Sequence, residues 1–166
     1  MKAQISIEYI ISVIVFILFA TYIFFRVIVY PAGYINEIKT QRLKSEAYQI
    51  SELLVNDPGE PLDWNIKPDN ERIRIGLSDS NQNKTNFLSM NKIAEFNDTC
   101  NTNYDEIKRL IGTDYQFSIF LSSSGTASTR LINCSYPGMV VKPVKFEVSR
   151  IVAFDSTYGE LIVELW

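Results

Sequence analysis

Few residues of this 166-residue chain have the side-chain types that carry catalysis or hold metals. The chain contains no histidine and two cysteines, which excludes histidine-dependent triads, histidine-ligated zinc and four-cysteine zinc sites. Residues with side-chain oxygen atoms alternate over 79–83 and 97–105, but neither stretch has the sixth-position glycine and twelfth-position glutamate of a calcium loop. We therefore expect no metal site, no cofactor and no enzymatic activity.

The charge balance argues against a nucleic-acid partner. The chain has 16 basic and 19 acidic residues and a formal net charge of −3. A nucleic-acid binder needs a basic surface to neutralise phosphates. The composition therefore favours a structural, binding or anchoring role.

The two cysteines, Cys100 and Cys134, enclose a loop of about 35 residues. Outside the cell a disulfide is the usual state of such a pair, and two free thiols are the alternative. We expect a bridge, which the chain-entropy model values at roughly 3–4 kcal/mol.

A long apolar run lies near the beginning of the sequence. Seventeen residues without a charge, Tyr9 to Phe25, are extended past Arg26 as far as Val29. As a helix this run is roughly 30 Å long, about the hydrocarbon thickness of a bilayer. A core helix of a soluble protein would keep a polar face, and a removed secretory signal peptide has a shorter apolar core. The run therefore predicts a transmembrane helix.

An acidic residue, Glu8, precedes the apolar run. Gln4, Glu8 and Ser12 follow each other at intervals of four, so that a helix would place them in one polar stripe. An ionised carboxylate at the membrane needs compensation. Two explanations remain open: Glu8 interacts with the positive end of its own helix dipole, or it pairs with a charge on another chain.

The residues Lys2-Ala3-Gln4-Ile5-Ser6-Ile7-Glu8 and the apolar run after them resemble the class III signal peptide of archaeal type IV pilin-like proteins. The resemblance covers about the first thirty residues. It implies that a prepilin peptidase cuts between Ala3 and Gln4 on the cytoplasmic side, and that the apolar helix is retained. It also implies that Gln4, Ser6 and Glu8 form the assembly site, where Glu8 neutralises the new α-amine of Gln4 on a neighbouring subunit.

The topology of the chain is predicted by two conflicting signals. Four basic residues between 26 and 44 follow the run, whereas Lys2 precedes it, and the positive-inside rule would place the bulk of the chain in the cytoplasm. The pilin-like start implies the opposite. Three glycosylation candidates, Asn83, Asn97 and Asn133, begin N-x-S/T acceptors that matter only outside the cell. We therefore expect an extracellular head.

The rest of the chain mixes helical and strand periodicities. The amphipathic stretch 34–56 predicts a helix whose apolar stripe packs on the sheet of its own head or on a neighbour's helix. Leu53-Leu54, then Asp57-Pro58-Gly59-Glu60-Pro61 and Trp64, are similar to small archaeal pilin-like surface proteins. Alternating patterns predict strands at 72–77, 115–122, 129–136, 146–154 and 161–165. Short helices are expected at 87–96 and 105–111.

These elements predict an α+β fold, in which a long N-terminal membrane and assembly helix continues as an amphipathic helix packed on a C-terminal antiparallel β-sheet head. The expected divisions are a leader (1–3), a transmembrane and assembly helix (4–33) and an extracellular pilin-like head (34–166).

The sequence thus predicts a structural subunit of a type IV pilus-like surface filament, whose head serves adhesion or surface display. The expected partners are the prepilin peptidase, like or related pilin subunits, the pilus assembly machinery and, before assembly, membrane lipid. The alternative is an uncut, single-span membrane protein with an extracellular binding domain.

Overall fold

The computed structural model describes residues 7–82, 84–124, 129–138 and 145–166. The helices are α1 (Ile7–Asn56), α2 (Met90–Thr102) and α3 (Tyr104–Ile111). The strands are β1 (Phe87–Leu88), β2 (Phe117–Ser123), β3 (Arg130–Ser135), β4 (Phe146–Phe154) and β5 (Thr157–Leu165). The chain divides into two compact units, residues 1–41 and 42–166. The α+β class expected from the sequence is confirmed.

The second unit, residues 42–166, is called the head from here on, although the expected head began at residue 34. It is built on one five-stranded sheet with the strand order β1-β4-β5-β2-β3. β4 and β5 form an antiparallel hairpin, and β2 is antiparallel to both β5 and β3. The prediction of a purely antiparallel sheet was wrong, because β1 pairs with the end of β4 in parallel. β1 has two residues, so no periodic pattern could reveal it.

The core of the head lies between the sheet and the last turns of α1. Alternate strand residues, such as Val148 and Val152 of β4, are buried on one face, as the two-residue period of a strand requires. From the helix come the buried residues Leu43, Ala47, Ile50, Leu54 and Val55. The C-terminal part of α1 therefore packs on the sheet of its own head.

Two polar contacts tie the same part of α1 to β4. The Arg150 side chain donates from Nε to Ser51 Oγ at 2.9 Å, and its Nη2 lies 2.6 Å from a carboxylate oxygen of Glu52. The rings of Tyr48 and Phe146 lie 6.3 Å apart. These contacts fix the helix against the strand in addition to the apolar packing.

A disulfide joins α2 to β3. Cys100 and Cys134 are bonded, with their Cα atoms 5.6 Å apart and 34 positions apart in sequence. The expectation of a bridge is therefore confirmed.

Changing both cysteines to serine should lower the free energy of unfolding of the head by roughly 3–4 kcal/mol, because the unfolded chain gains the entropy of an open loop. Urea unfolding of the wild-type and Cys100→Ser/Cys134→Ser proteins measures this difference. Equal urea midpoints would show that the bridge does not stabilise the head.

Tyr104, at the start of α3, is buried against β2. Its hydroxyl donates to the carbonyl oxygen of Phe117 at 3.0 Å and accepts from the N–H of Phe117 at 2.9 Å. The two rings stack with centroids 4.7 Å apart. Burial raises the pKa of Tyr104 to about 12, and the hydrogen bond with Phe117 offsets part of that rise.

The raised pKa of Tyr104 predicts a loss of stability in alkali. The phenol of Tyr104 ionises near its ordinary pKa of 10.0 in the unfolded chain and near a pKa of about 12 in the folded head. Its contribution to the free energy of unfolding is therefore complete below pH 10 and decreases toward pH 12. Urea unfolding at several pH values across this window, on the wild type and on Tyr104→Phe, tests the assignment. The variant should show the smaller alkaline loss, and an identical pH dependence would contradict it.

The segment 57–78 differs most from its prediction. A strand was expected over 72–77, but Arg74 forms a single bridge with Glu60, and no strand is assigned there. The alternation predicts an exposed Arg72 and a buried Ile73. The structure shows the opposite, since Arg72 is buried and Ile73 is 67% exposed. The predicted helix over 87–96 was also displaced, since α2 begins at Met90 after β1.

Candidate functional site

The first part of α1, Ile7–Ile28, is long and apolar enough to cross a membrane. No residue of this run is buried within the structure, and its large apolar side chains are exposed on all sides of the helix. Apolar surface on every side of a helix is stable only in lipid or against other apolar helices. The run is therefore compatible with membrane anchoring.

The charges of this run are placed at its two ends. Glu8 is exposed in the first turn of α1, and Arg26 lies close to the other end. The Arg26 guanidinium donates to the hydroxyl of Tyr22 at 3.2 Å and lies 5.6 Å from the centre of that ring. Thr21 donates to the carbonyl oxygen of Ile17 at 2.7 Å. The hydroxyl of Thr21 is thus hydrogen-bonded within its own helix.

The structure describes one of the three predicted assembly residues. Glu8 lies where the sequence predicts, at the start of the apolar helix. The leader 1–3, with Ala3 of the predicted cleavage site, and the residues Gln4 and Ser6 lie outside the described residues.

The glycosylation candidates lie on the head or outside the described residues. Asn83 belongs to the latter group. Asn133 is exposed on β3, and its backbone N–H donates to Oδ1 of Asn97 on α2 at 2.9 Å. The two described acceptor asparagines are therefore neighbours in the folded head.

An open groove of about 1290 Å³ lies on the head beside the end of α1. Its apolar part includes the partly buried Leu53 and the exposed side chains of Leu62 and Ile73. We call it the acidic groove. Its lining residues are Gln49, Glu52, Leu53, Asn56 and the stretches 57–62, 70–71 and 73–74.

The charged lining of the acidic groove is mostly negative. Glu52, Asp57, Glu60 and Glu71 supply four carboxylates, and Arg74 supplies one guanidinium. Arg74 lies 2.9 Å from Asp57 and 4.0 Å from Glu60, and Glu52 pairs with Arg150. The groove therefore presents exposed apolar side chains within an acidic rim.

The wall of the acidic groove is held by Trp64. This side chain is 0% exposed and donates from Nε1 to the carbonyl oxygen of Gly76 at 2.9 Å. Gly59 has a φ of +85°, and a Cβ there would lie 2.4 Å from Cδ1 of Trp64. A Cβ on Gly76 would lie 2.0 Å from the carbonyl oxygen of Asp57. The backbone of the loop that follows α1 is thus in close contact with the indole ring of Trp64.

Two buried cations, which sequence analysis did not identify, fix this loop to α2. Arg72 contacts Glu95 at 2.6 Å and Thr99 Oγ1 at 3.1 Å, and its Nε donates to the carbonyl oxygen of Lys67. Lys92 Nζ donates to the carbonyl oxygens of Pro58 and Ser78, at 2.6 and 3.1 Å.

Burial lowers the pKa of Lys92, and the nearby Asp79 and Asp57 carboxylates partly oppose this effect. A buried cation with hydrogen-bond acceptors is expensive to disturb. The wall of the groove is therefore a fixed part of the head.

Comparison with known proteins gave no relative. No protein-family model matches the chain, and no match was found among curated proteins or solved structures.

Proposed function

We propose that this chain is a structural subunit of a type IV pilus-like surface filament. A prepilin peptidase removes residues 1–3 by cutting between Ala3 and Gln4. The apolar helix then anchors the subunit in the membrane and, on assembly, packs with the helices of like or related subunits. The head lies outside the cell and serves adhesion or surface display.

The observation that carries the proposal is the all-round exposure of the apolar run Ile7–Ile28, with Glu8 at its start. Such a helix needs a lipid or helical environment. The apolar run is thus available for packing between subunits.

Glu8 is proposed to set the position of one subunit against the next. Its first-turn carboxylate would meet the α-amine that cleavage creates on Gln4 of a neighbour. In an apolar bundle the two charges compensate each other, and an unpaired charge at any other stagger would be costly. This gives a reason for a carboxylate at the end of an otherwise apolar helix.

The second candidate is an uncut, single-span protein with an extracellular binding domain. The acidic groove, with exposed Leu62 and Ile73 inside a rim of carboxylates, favours it, because exposed apolar side chains inside a polar rim are typical of interaction sites. In that case the helix is an anchor alone, and Glu8 is a capping residue.

Mechanical shearing separates the two candidates. Cells that produce the full chain are sheared, the released material is pelleted at high speed, and an antibody against the head is used for immunogold electron microscopy. The filament proposal predicts the chain in the pellet, with label along filaments. Retention of all the protein in the membrane fraction would support the anchored binding domain instead.

A further inference from the structure

We propose that the acidic groove of one head binds a second copy of this chain through Ile38, Lys39 and Arg42 of its helix α1. We call these three residues the basic stripe. The inference rests on the proposed function, since it names a contact between the head of one subunit and the helix of another.

The groove supplies an apolar surface and excess negative charge. Leu62 and Ile73 are 60% and 67% exposed although both line a concave surface. Glu71 is exposed on the rim, and no cation of the described residues lies at ion-pair distance from it. A partner that is apolar and cationic would cover both features.

The basic stripe has the matching chemistry. Residues i, i+1 and i+4 lie within about 100° of each other around a helix, so Ile38, Lys39 and Arg42 share one side of α1. All three are exposed. Among the described residues, neither Lys39 nor Arg42 has a carboxylate at ion-pair distance. Lys44 is not included, since its Nζ lies 5.8 Å from the ring centre of Phe146 on its own head.

The charge of the groove favours a second copy of this chain over an anionic lipid or a nucleic acid as its partner. Its four carboxylates outnumber the two guanidinium groups that pair with them, since Arg74 contacts Asp57 and Glu60 and Arg150 contacts Glu52. This negative excess disfavours anionic lipid headgroups and nucleic acid. A neighbouring subunit carries the complementary stripe. Because the stripe and the α1 residues of the groove are separated by about 10–27 Å along the helix, the contact joins subunits that are displaced along the filament axis, where the local concentration of subunits is high. Because the groove and the stripe are different surfaces, their contact is heterologous, and repetition of such a contact produces a ring or an open helical filament.

Cysteine cross-linking in sheared filaments and in the membrane fraction tests the contact. One copy carries Ile73→Cys in the groove, a second, co-expressed copy carries Ile38→Cys in the stripe, and a mild oxidant joins residues that meet. The matched control replaces Ile73→Cys by Ile151→Cys, since Ile151 is 75% exposed on β4 and does not line the groove. We expect the groove pair to cross-link at least about tenfold more than the control pair. Equal yields would overturn the proposal.

Charge reversal tests the electrostatic part. Glu60→Lys/Glu71→Lys in the Ile73→Cys copy should reduce the yield, and Lys39→Glu/Arg42→Glu in the Ile38→Cys copy should restore it. An unchanged yield, or the absence of rescue, would contradict recognition by charge.

A third reporter distinguishes failure of this inference from failure of the proposed function. Val15→Cys in one copy and Ile11→Cys in the other, both on the exposed apolar run, report contact between helices, because pairing of Glu8 with Gln4 of a neighbour displaces the two helices by four residues. If this helix pair cross-links and the groove pair does not, the groove contact is wrong and assembly through the helices stands. If neither pair cross-links, both proposals fail.

Discussion

Replacing Glu8 by glutamine is expected to remove the chain from sheared filaments while leaving it in the membrane. Glutamine keeps the shape and hydrogen bonding of glutamate but removes its charge, so the α-amine of Gln4 on the neighbouring subunit would be left uncompensated among apolar helices. An uncompensated buried charge costs far more than a lost surface pair. We expect the filament fraction to fall by about tenfold or more.

The measurement is quantitative immunoblotting of the sheared and membrane fractions. Glu37→Gln is the matched control, because Glu37 is an exposed carboxylate of the same helix beyond the apolar run. It should leave the filament fraction unchanged. Wild-type filament levels in Glu8→Gln would show that Glu8 acts as a capping residue of its own helix.

Trp64→Ala is expected to lower the free energy of unfolding of the head by about 3–5 kcal/mol, as is usual for removal of a large buried side chain. The indole is completely buried, and its Nε1 donates to the carbonyl oxygen of Gly76. It also lies beneath Gly59, where a Cβ would clash with the ring. Alanine would leave a cavity and an unpaired carbonyl group in the wall of the acidic groove.

Urea unfolding of the full chain in detergent, followed by circular dichroism, measures the effect of Trp64→Ala. Ile66→Ala is the control, since Ile66 lies in the same short turn but is exposed, and a surface change of this kind stays within about 0.5 kcal/mol. Trp64→Phe keeps most of the ring but loses the donor, so its loss should be intermediate. Equal midpoints for Trp64→Ala and Ile66→Ala would show that the indole does not support the head.

The elements that sequence analysis predicted well are those with long, regular patterns. Alternation over 115–122, 129–136, 146–154 and 161–165 corresponds to β2, β3, β4 and β5. The helix over 105–111 corresponds to α3. In each of these elements the buried side is apolar, so apolar residues recur at the period of the strand or helix and reveal it.

The segment around Arg72 was predicted wrongly because tertiary contacts determine it. The alternation of 72–77 would place Arg72 outside and Ile73 inside. The structure reverses these two residues, since Glu95, Thr99 and the carbonyl oxygen of Lys67 all bind the Arg72 side chain. A single sequence does not show that acceptors from α2 will meet that arginine. The exposed Ile73, and with it part of the acidic groove, could not be predicted for the same reason.

Sequence analysis predicted only one part of the candidate site. The run of apolar residues, with Glu8 before it, predicted the exposed helix Ile7–Ile28. The roles of Ala3, Gln4 and Ser6 came from resemblance to pilin-like proteins and stay predictions. The groove is formed by residues from α1 and from a loop with irregular structure, so no local sequence pattern predicts it.

The most direct test of the proposed function is the N-terminal residue of the protein isolated from native membranes or surface filaments, measured by mass spectrometry of the terminal peptide. Processing by a prepilin peptidase predicts a chain that begins at Gln4 and retains the apolar helix. A chain that begins at Met1 would contradict the proposal and favour the anchored binding domain. A chain that begins beyond Tyr30 would contradict both, because the helix would have been removed.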